Sequence, residues 1–167
     1  MNIDNIKVLG FRVNISSVSD TLNKVNKIKE EFSKDFFVQL LDADAIAGRE
    51  HVIHAINQAI LAFDRNENLA NDLGVEILLR SSAQRQISKA FDMLGIKPGK
   101  SNLCIVLINC SNEFVDRLSD MFIRDDDVLI ADNSKLRDLY DISEKEIRNL
   151  YMEDIIIDRI TKLVVDY

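Results

Sequence analysis

The chain has 167 residues, 47% of them apolar and 29% charged, with a formal net charge of −7; that is the size of one compact domain able to bury a core without staples. An acidic chain is not a general nucleic-acid coat, because non-specific affinity grows with the number of phosphates that Lys and Arg neutralise. No uninterrupted apolar run approaches the ~20 residues that span a bilayer, and the opening MNIDNIKVLG lacks a basic region followed by an apolar stretch, so neither a membrane span nor a secretory signal is expected.

Ile6 to Val13 reads as a strand near a sheet edge, with Gly10 marking a bulge. Ser16, Ser17 and Ser19 then precede a surface helix whose inner face carries Leu22, Val25, Ile28, Lys29 and Phe32. Phe36 to Leu41 is a short apolar run and a candidate buried strand. Asp42 or Asp44 caps the next helix, with Ile53, Ile56, Ile60 and Phe63 on the core side and Ala55, Ala59 and Ala62 on a thin second face. After a polar connection from Asn66 to Gly74, Val75 to Arg80 reads as a buried strand that turns directly into a helix with Ile87, Ala90, Phe91 and Leu94 inward. Lys97-Pro98-Gly99-Lys100 is a turn. It leads to the strand Leu103 to Ile108, whose unbroken apolar run implies burial on both faces. Cys104 lies on that strand and Cys110 at its exit, and reduced core thiols in a cytoplasmic protein are expected.

From Ser111 onward the pattern is helical. Asn112 caps a segment with Phe114, Val115, Leu118 and Phe122 inward; Ser134 to Tyr140 and Ser143 to Tyr151 are short helices, the second with Ser143 and Glu146 in capping-box spacing; Glu153 to Val165 closes the chain with Ile155, Ile156, Ile157, Ile160, Leu163 and Val164 on a broad apolar face. The expected fold class is α/β (α+β): one two-layer domain over 1–167, with an about four-stranded mixed sheet, six or so helices and a helical carboxyl third.

Charge is unevenly spread. Between Arg80 and Lys100 there are five basic residues against one acid, whereas Ser111 to Asp154 holds thirteen acids and six bases. The strand-to-helix junction after Arg80 therefore reads as an anion pocket: the first helical N–H groups lack partners in the helix, Ser81 or Ser82 caps some of them, and Arg80 and Arg85 stand beside the positive end of the dipole. The competing reading is structural, an Arg paired with a carboxylate and a routine serine cap. His51 and His54 are three apart on a helix, but with no further histidine a metal site would need Asp42 or Asp44 to converge on them, and no metal is expected. One half-buried and one surface histidine, or imidazoles that meet an unstacked base, are the other readings. Asp125-Asp126-Asp127 lacks calcium-loop spacing and reads as a solvated loop or helix start. Phosphate-loop, dinucleotide, nucleophile-elbow and zinc-hydrolase patterns are missing, which disfavours an enzyme.

The segments LLDADAIAGREHVIHAINQA and VEILLRSSAQRQISKAFDMLGIKPG resemble the regulatory-subunit family of the KEOPS (EKC) complex, the TPRKB or PRPK-binding protein family. The shared pattern falls on Asp42-Ala43, His51, His54-Ala55, Gln58-Ala59, Glu76, Leu78, Arg80, Ser82, Arg85-Gln86-Ile87 and Gly95, about a third of the chain. Ala83 stands where the family usually has Gly: either that position needs positive φ or a close backbone approach, where Ala is costly, or it starts the following helix, where Ala is the better former, and the second reading is favoured. The resemblance implies a non-catalytic subunit without cofactor. It would bind and stimulate the small atypical kinase/ATPase of the complex, contact the single-stranded 3′ CCA end of tRNA and help present that tRNA to the threonylcarbamoyl transferase. On this reading Arg80, Ser81, Ser82, Arg85, Gln86 and Lys89 hold the tRNA tail, with His51 and His54 near its bases, and Ile156, Ile160 and Leu163 face the kinase. The alternative is a small-molecule anion-binding domain or enzyme that uses the helix N-terminus after Arg80.

Overall fold

The computed structural model describes residues 3–32 and 36–163. The end of the last expected helix, Val164 included, lies outside them. In chain order the first elements are β1 (Ile6–Ile15), α1 (Val18–Glu30), β2 (Phe37–Asp42), α2 (Arg49–Asp64), α3 (Leu73–Ser82) and α4 (Ile87–Leu94). There follow β3 (Gly99–Ile108), α5 (Asn112–Met121), β4 (Ile123–Arg124), α6 (Asn133–Leu139), α7 (Glu144–Asn149) and α8 (Met152–Lys162). The chain forms two compact units, one from Met1–Ala43 with Ile96–Val128, the other from Asp44–Gly95 with Leu129–Tyr167.

The first unit carries the sheet, in the order β2-β3-β1-β4. Every pairing is antiparallel, so the class is α+β and the sheet is not mixed. β3 takes an inner place because Leu103 to Ile108 has no polar side chain, and all six residues are buried. Leu9 lies opposite Ile105 and Phe11 opposite Leu103, while Leu40 meets Ile105 from the other side. With a side-chain period of two these residues share one face, which packs on Val25 and Ile28 of α1 and Phe114 and Leu118 of α5. Phe114 meets Phe36 and Phe32 edge to face, with ring centroids 5.0 and 5.5 Å apart.

Gly10 does not mark a bulge, since the β1/β3 register runs unbroken through Gly10 opposite Cys104. It admits a close crossing: its N–H donates to Asp126 Oδ1 at 2.9 Å, the Asp125 N–H donates to its carbonyl at 2.9 Å, and a Cβ would stand 2.5 Å from the Asp125 carbonyl. The aspartates thus lie in a turn held by two ion pairs, with Asp126 forked by Arg124 and Asp125 paired with Arg12. Among the described residues no group of His, Cys, Asp and Glu is placed to hold a metal, and no helix is long and apolar enough to cross a membrane.

In the second unit, the residues from Asp72 to Ala83 overturn the expected strand. Asp72 caps α3, its side chain accepting the Val75 N–H at 3.1 Å. Every residue from Glu76 to Ser82 is buried, nearly two helical turns. The apolar run looked like a strand because a helix buried all round loses its polar stripe, and periodicity then cannot separate the two. In α2 the face sinking deepest is the small one, with Ala55, Ala59 and Ala62 buried beside Val52 and Ile56, whereas Ile53, Ile60 and Phe63 are half-buried. Its cap is Gly48, at φ 95°, and neither Asp42 nor Asp44. Leu136, Tyr140, Ile142, Met152, Ile155, Ile156 and Ile160 form a further core cluster with Ala47 and Ala55.

α3 ends in a Schellman motif: the Gln84 N–H donates to the Leu79 carbonyl at 3.1 Å and the Ala83 N–H to the Arg80 carbonyl at 3.0 Å. Ala83 is therefore left-handed, at φ 53° and ψ 36°, and ends one helix instead of starting the next. Glycine takes that conformation without the Cβ penalty. Ala83→Gly is expected to raise the unfolding free energy by about 1 kcal/mol in urea titrations; a loss of stability would contradict the left-handed cap.

Candidate functional site

The residues expected at an anion pocket divide sharply. Arg80 is 2% exposed. Its Nε donates to Glu76 Oε1 at 2.8 Å, and its Nη2 lies 2.8 Å from the same oxygen. Glu76 Oε2 in turn accepts the Leu69 and Ala70 N–H groups at 2.9 and 2.7 Å. A guanidinium so placed is neutralised inside the fold, so Arg80 is not available to a phosphate. Ser81 and Ser82 are likewise buried at the carboxyl end of α3; the Ser82 hydroxyl donates back to the Leu79 carbonyl at 3.0 Å. These three do not line an N-terminus, because they form the last turn of α3 and the next helix starts only past Gln86. The signal that was missed is the Glu76/Arg80 spacing of four, which becomes a pair only once the segment is a helix.

The helix N-terminus lies instead at Gln86, the cap of α4, which gives no side-chain cap. Arg85, Gln86 and Lys89 are exposed there. The expected inner face of α4 also divides: Ala90 and Leu94 are buried, while Ile87 and Phe91, one turn apart, are 47% and 45% exposed. An aromatic ring and a branched aliphatic thus stand outward on a helix that Arg85 precedes and that also carries Lys89. Arg85 Nη2 donates to the Leu163 carbonyl at 3.0 Å, at the end of α8. His54 Nε2 lies 3.0 Å from the Thr161 hydroxyl of the same turn, and partial burial lowers its pKa. His54 and Arg85 therefore flank one helix end, and together with Gln86 and Lys89 they are what the structure brings together of the expected site.

The face of α8 expected to meet a kinase is core. Ile156 and Ile160 are fully buried in the cluster with Leu136 and Tyr140, and Leu163 is half-buried. A broad apolar face on an amphipathic helix is normally the buried one, and here it packs as core.

His51 and His54 do not face one ion. His51 is fully buried; its Nδ1 accepts the Ala47 N–H at 2.9 Å and its Nε2–H donates to the Ser81 carbonyl at 2.7 Å. The Tyr140 hydroxyl is 3.1 Å from that carbonyl and 2.8 Å from the Ala45 carbonyl, and its ring meets the imidazole edge to face at 6.1 Å. The imidazole is held neutral as one donor and one acceptor, tying the start of α2 to the end of α3. Burial pushes its pKa down to about 4 from 6.5. Between these values the unfolded chain binds a proton that the folded chain refuses, so stability falls as pH drops through that window and levels off below it. His51 is expected to stay neutral at pH 5 in an NMR titration, while urea unfolding shows a loss of up to about 3 kcal/mol across the window from this group; titration near its ordinary value would contradict the buried tie.

A family model described as kinase binding protein CGI-121 matches residues 13–162. The regulatory protein Cgi121 of Methanocaldococcus jannaschii is 39% identical over 84 residues, 50% of this chain and 52% of that protein. The chain spans about half the length of this curated relative in the matched region. With most of its length under one family model, including the buried Glu76/Arg80 helix and the exposed α4, the chain belongs to the kinase-binding CGI-121 family, the regulatory-subunit family that its His-x-x-His-Ala and Arg-Gln-Ile segments resemble.

Proposed function

We propose that this chain is a non-catalytic, cytoplasmic regulatory subunit of the KEOPS complex, acting as one family domain. It binds and stimulates the small atypical kinase/ATPase, in an assembly with the threonylcarbamoyl transferase, and holds the 3′ CCA end of tRNA. The kinase part is supported by the family description, a kinase binding protein. The tRNA part is carried by α4: Ile87 and Phe91 stand exposed on one side of a helix that Arg85 precedes and that also carries the exposed Lys89, and its start has no side-chain cap. Unpaired bases stack on aromatic faces, and their phosphates suit guanidinium, ammonium and helical N–H groups. Such a patch serves a single-stranded tail of a few nucleotides, and so needs no basic molecule around it.

The contact set is accordingly Arg85, Gln86, Lys89, Ile87 and Phe91, with His54 at its margin; Arg80, Ser81, Ser82 and His51 support it from inside. The anion-binding alternative placed its ligand at a helix start after Arg80, where α3 instead ends.

Arg85→Glu should weaken tRNA binding about tenfold or more and lower the slope of affinity against salt by about one or two ions, with a chain that still folds despite losing the bond to the Leu163 carbonyl. Removal of the CCA should have a comparable effect on the unsubstituted chain. Wild-type tRNA affinity in the Arg85 variant overturns the assignment.

A further inference from the structure

α7 is an unusual helix for this chain, since none of its residues is buried. Polar ties hold it in place. Ser143 and Glu146 form a reciprocal capping box, the Glu146 carboxylate accepting the Ser143 N–H at 2.8 Å and the Ser143 hydroxyl accepting the Glu146 N–H at 3.2 Å. Arg159 of α8 donates to the Tyr140 and Asp141 carbonyls and reaches Glu146 Oε1 at 3.3 Å. A segment fixed in this way still displays large apolar side chains: Ile147, Leu150 at 54% exposure and Tyr151 at 83%, the most exposed large hydrophobic residue of those described.

Carboxylates follow this segment in the chain. Glu153 and Asp154 open α8 directly after Tyr151. Glu153 reaches back to the start of α2, its Oε2 so near Gly48 that a Cβ there would stand 2.6 Å away. Burial, Glu50 and then Asp154 raise the pKa of Glu153. An exposed tyrosine with apolar neighbours and nearby acids is complementary to a basic protein surface with an apolar pocket, and tyrosine is a frequent anchor of such contacts.

We infer that Ile147, Leu150 and Tyr151, together with Glu50, Glu153 and Asp154, are the surface on which the kinase docks, through a segment that brings Lys or Arg around an apolar pocket. This rests on the reading of the chain as a kinase regulator, and assigns the role that the buried face of α8 does not fill.

Titration of the full-length chain against its cognate kinase by calorimetry at low and moderate salt tests it, with tRNA binding and thermal midpoint measured on the same samples. Tyr151→Ala is expected to weaken kinase binding about tenfold or more and to leave tRNA affinity and folding unchanged. Glu153→Lys is expected to weaken it too and to flatten its salt dependence. Wild-type kinase affinity in either folded variant overturns the docking surface while leaving the regulatory role standing; failure of the unsubstituted chain to bind the kinase overturns both.

Discussion

The buried ion pair between Glu76 and Arg80 is the constraint around which the second unit is built. A carboxylate and a guanidinium taken out of water are tolerated only if each is paired and the remaining lone pairs are satisfied. Here the second oxygen of Glu76 takes the Leu69 and Ala70 N–H groups, so one side chain both neutralises Arg80 and closes the loop that leads into α3. Removing one partner strands a charge, at a cost of about 3–5 kcal/mol. The pair also fixes the segment as a helix, since residues four apart meet only with helical geometry.

From that helix the rest of the unit follows. Its carboxyl end offers the Ser81 carbonyl to His51 and lies within reach of the Tyr140 hydroxyl, so α2, α3 and α6 meet at one acceptor. Its left-handed exit at Ala83 turns the chain so that α4 begins at Gln86 with Arg85 and Lys89 outward. The inner polar residues thereby set the direction of the outer ones. The proposed division of labour has the same origin: basic and aromatic side chains of α4 for an RNA end, and the acidic, tyrosine-bearing shoulder after α7 for a protein.

Much of this was legible from residue patterns where one face is wet and the other dry. The six-residue apolar run of β3, the Ser143/Glu146 box of α7 and the inner positions Val25, Ile28, Phe114 and Leu118 are local signals, and each has its place in the structure. α3 was not legible as a helix because its polar members are buried with the apolar ones, and the partner of Arg80 is invisible until the secondary structure is known. The outward position of Phe91 and the inward position of His51 depend on which of two faces finds a neighbour, and spacing alone does not decide that. A glycine inside a strand pattern signals a bulge or a close crossing alike, and Gly10 is the second, letting the Asp125 turn pass over β1.

The most direct test is the coupling energy between positions 76 and 80 from urea unfolding of Glu76→Gln, Arg80→Met and the double variant. A buried, mutually neutralising pair predicts coupling of about 2 kcal/mol or more, the double variant recovering part of what each single change loses. Additivity within about 0.5 kcal/mol would mean that Arg80 stands in solvent, and the account of α3 as the inner support of an outer binding surface would fail.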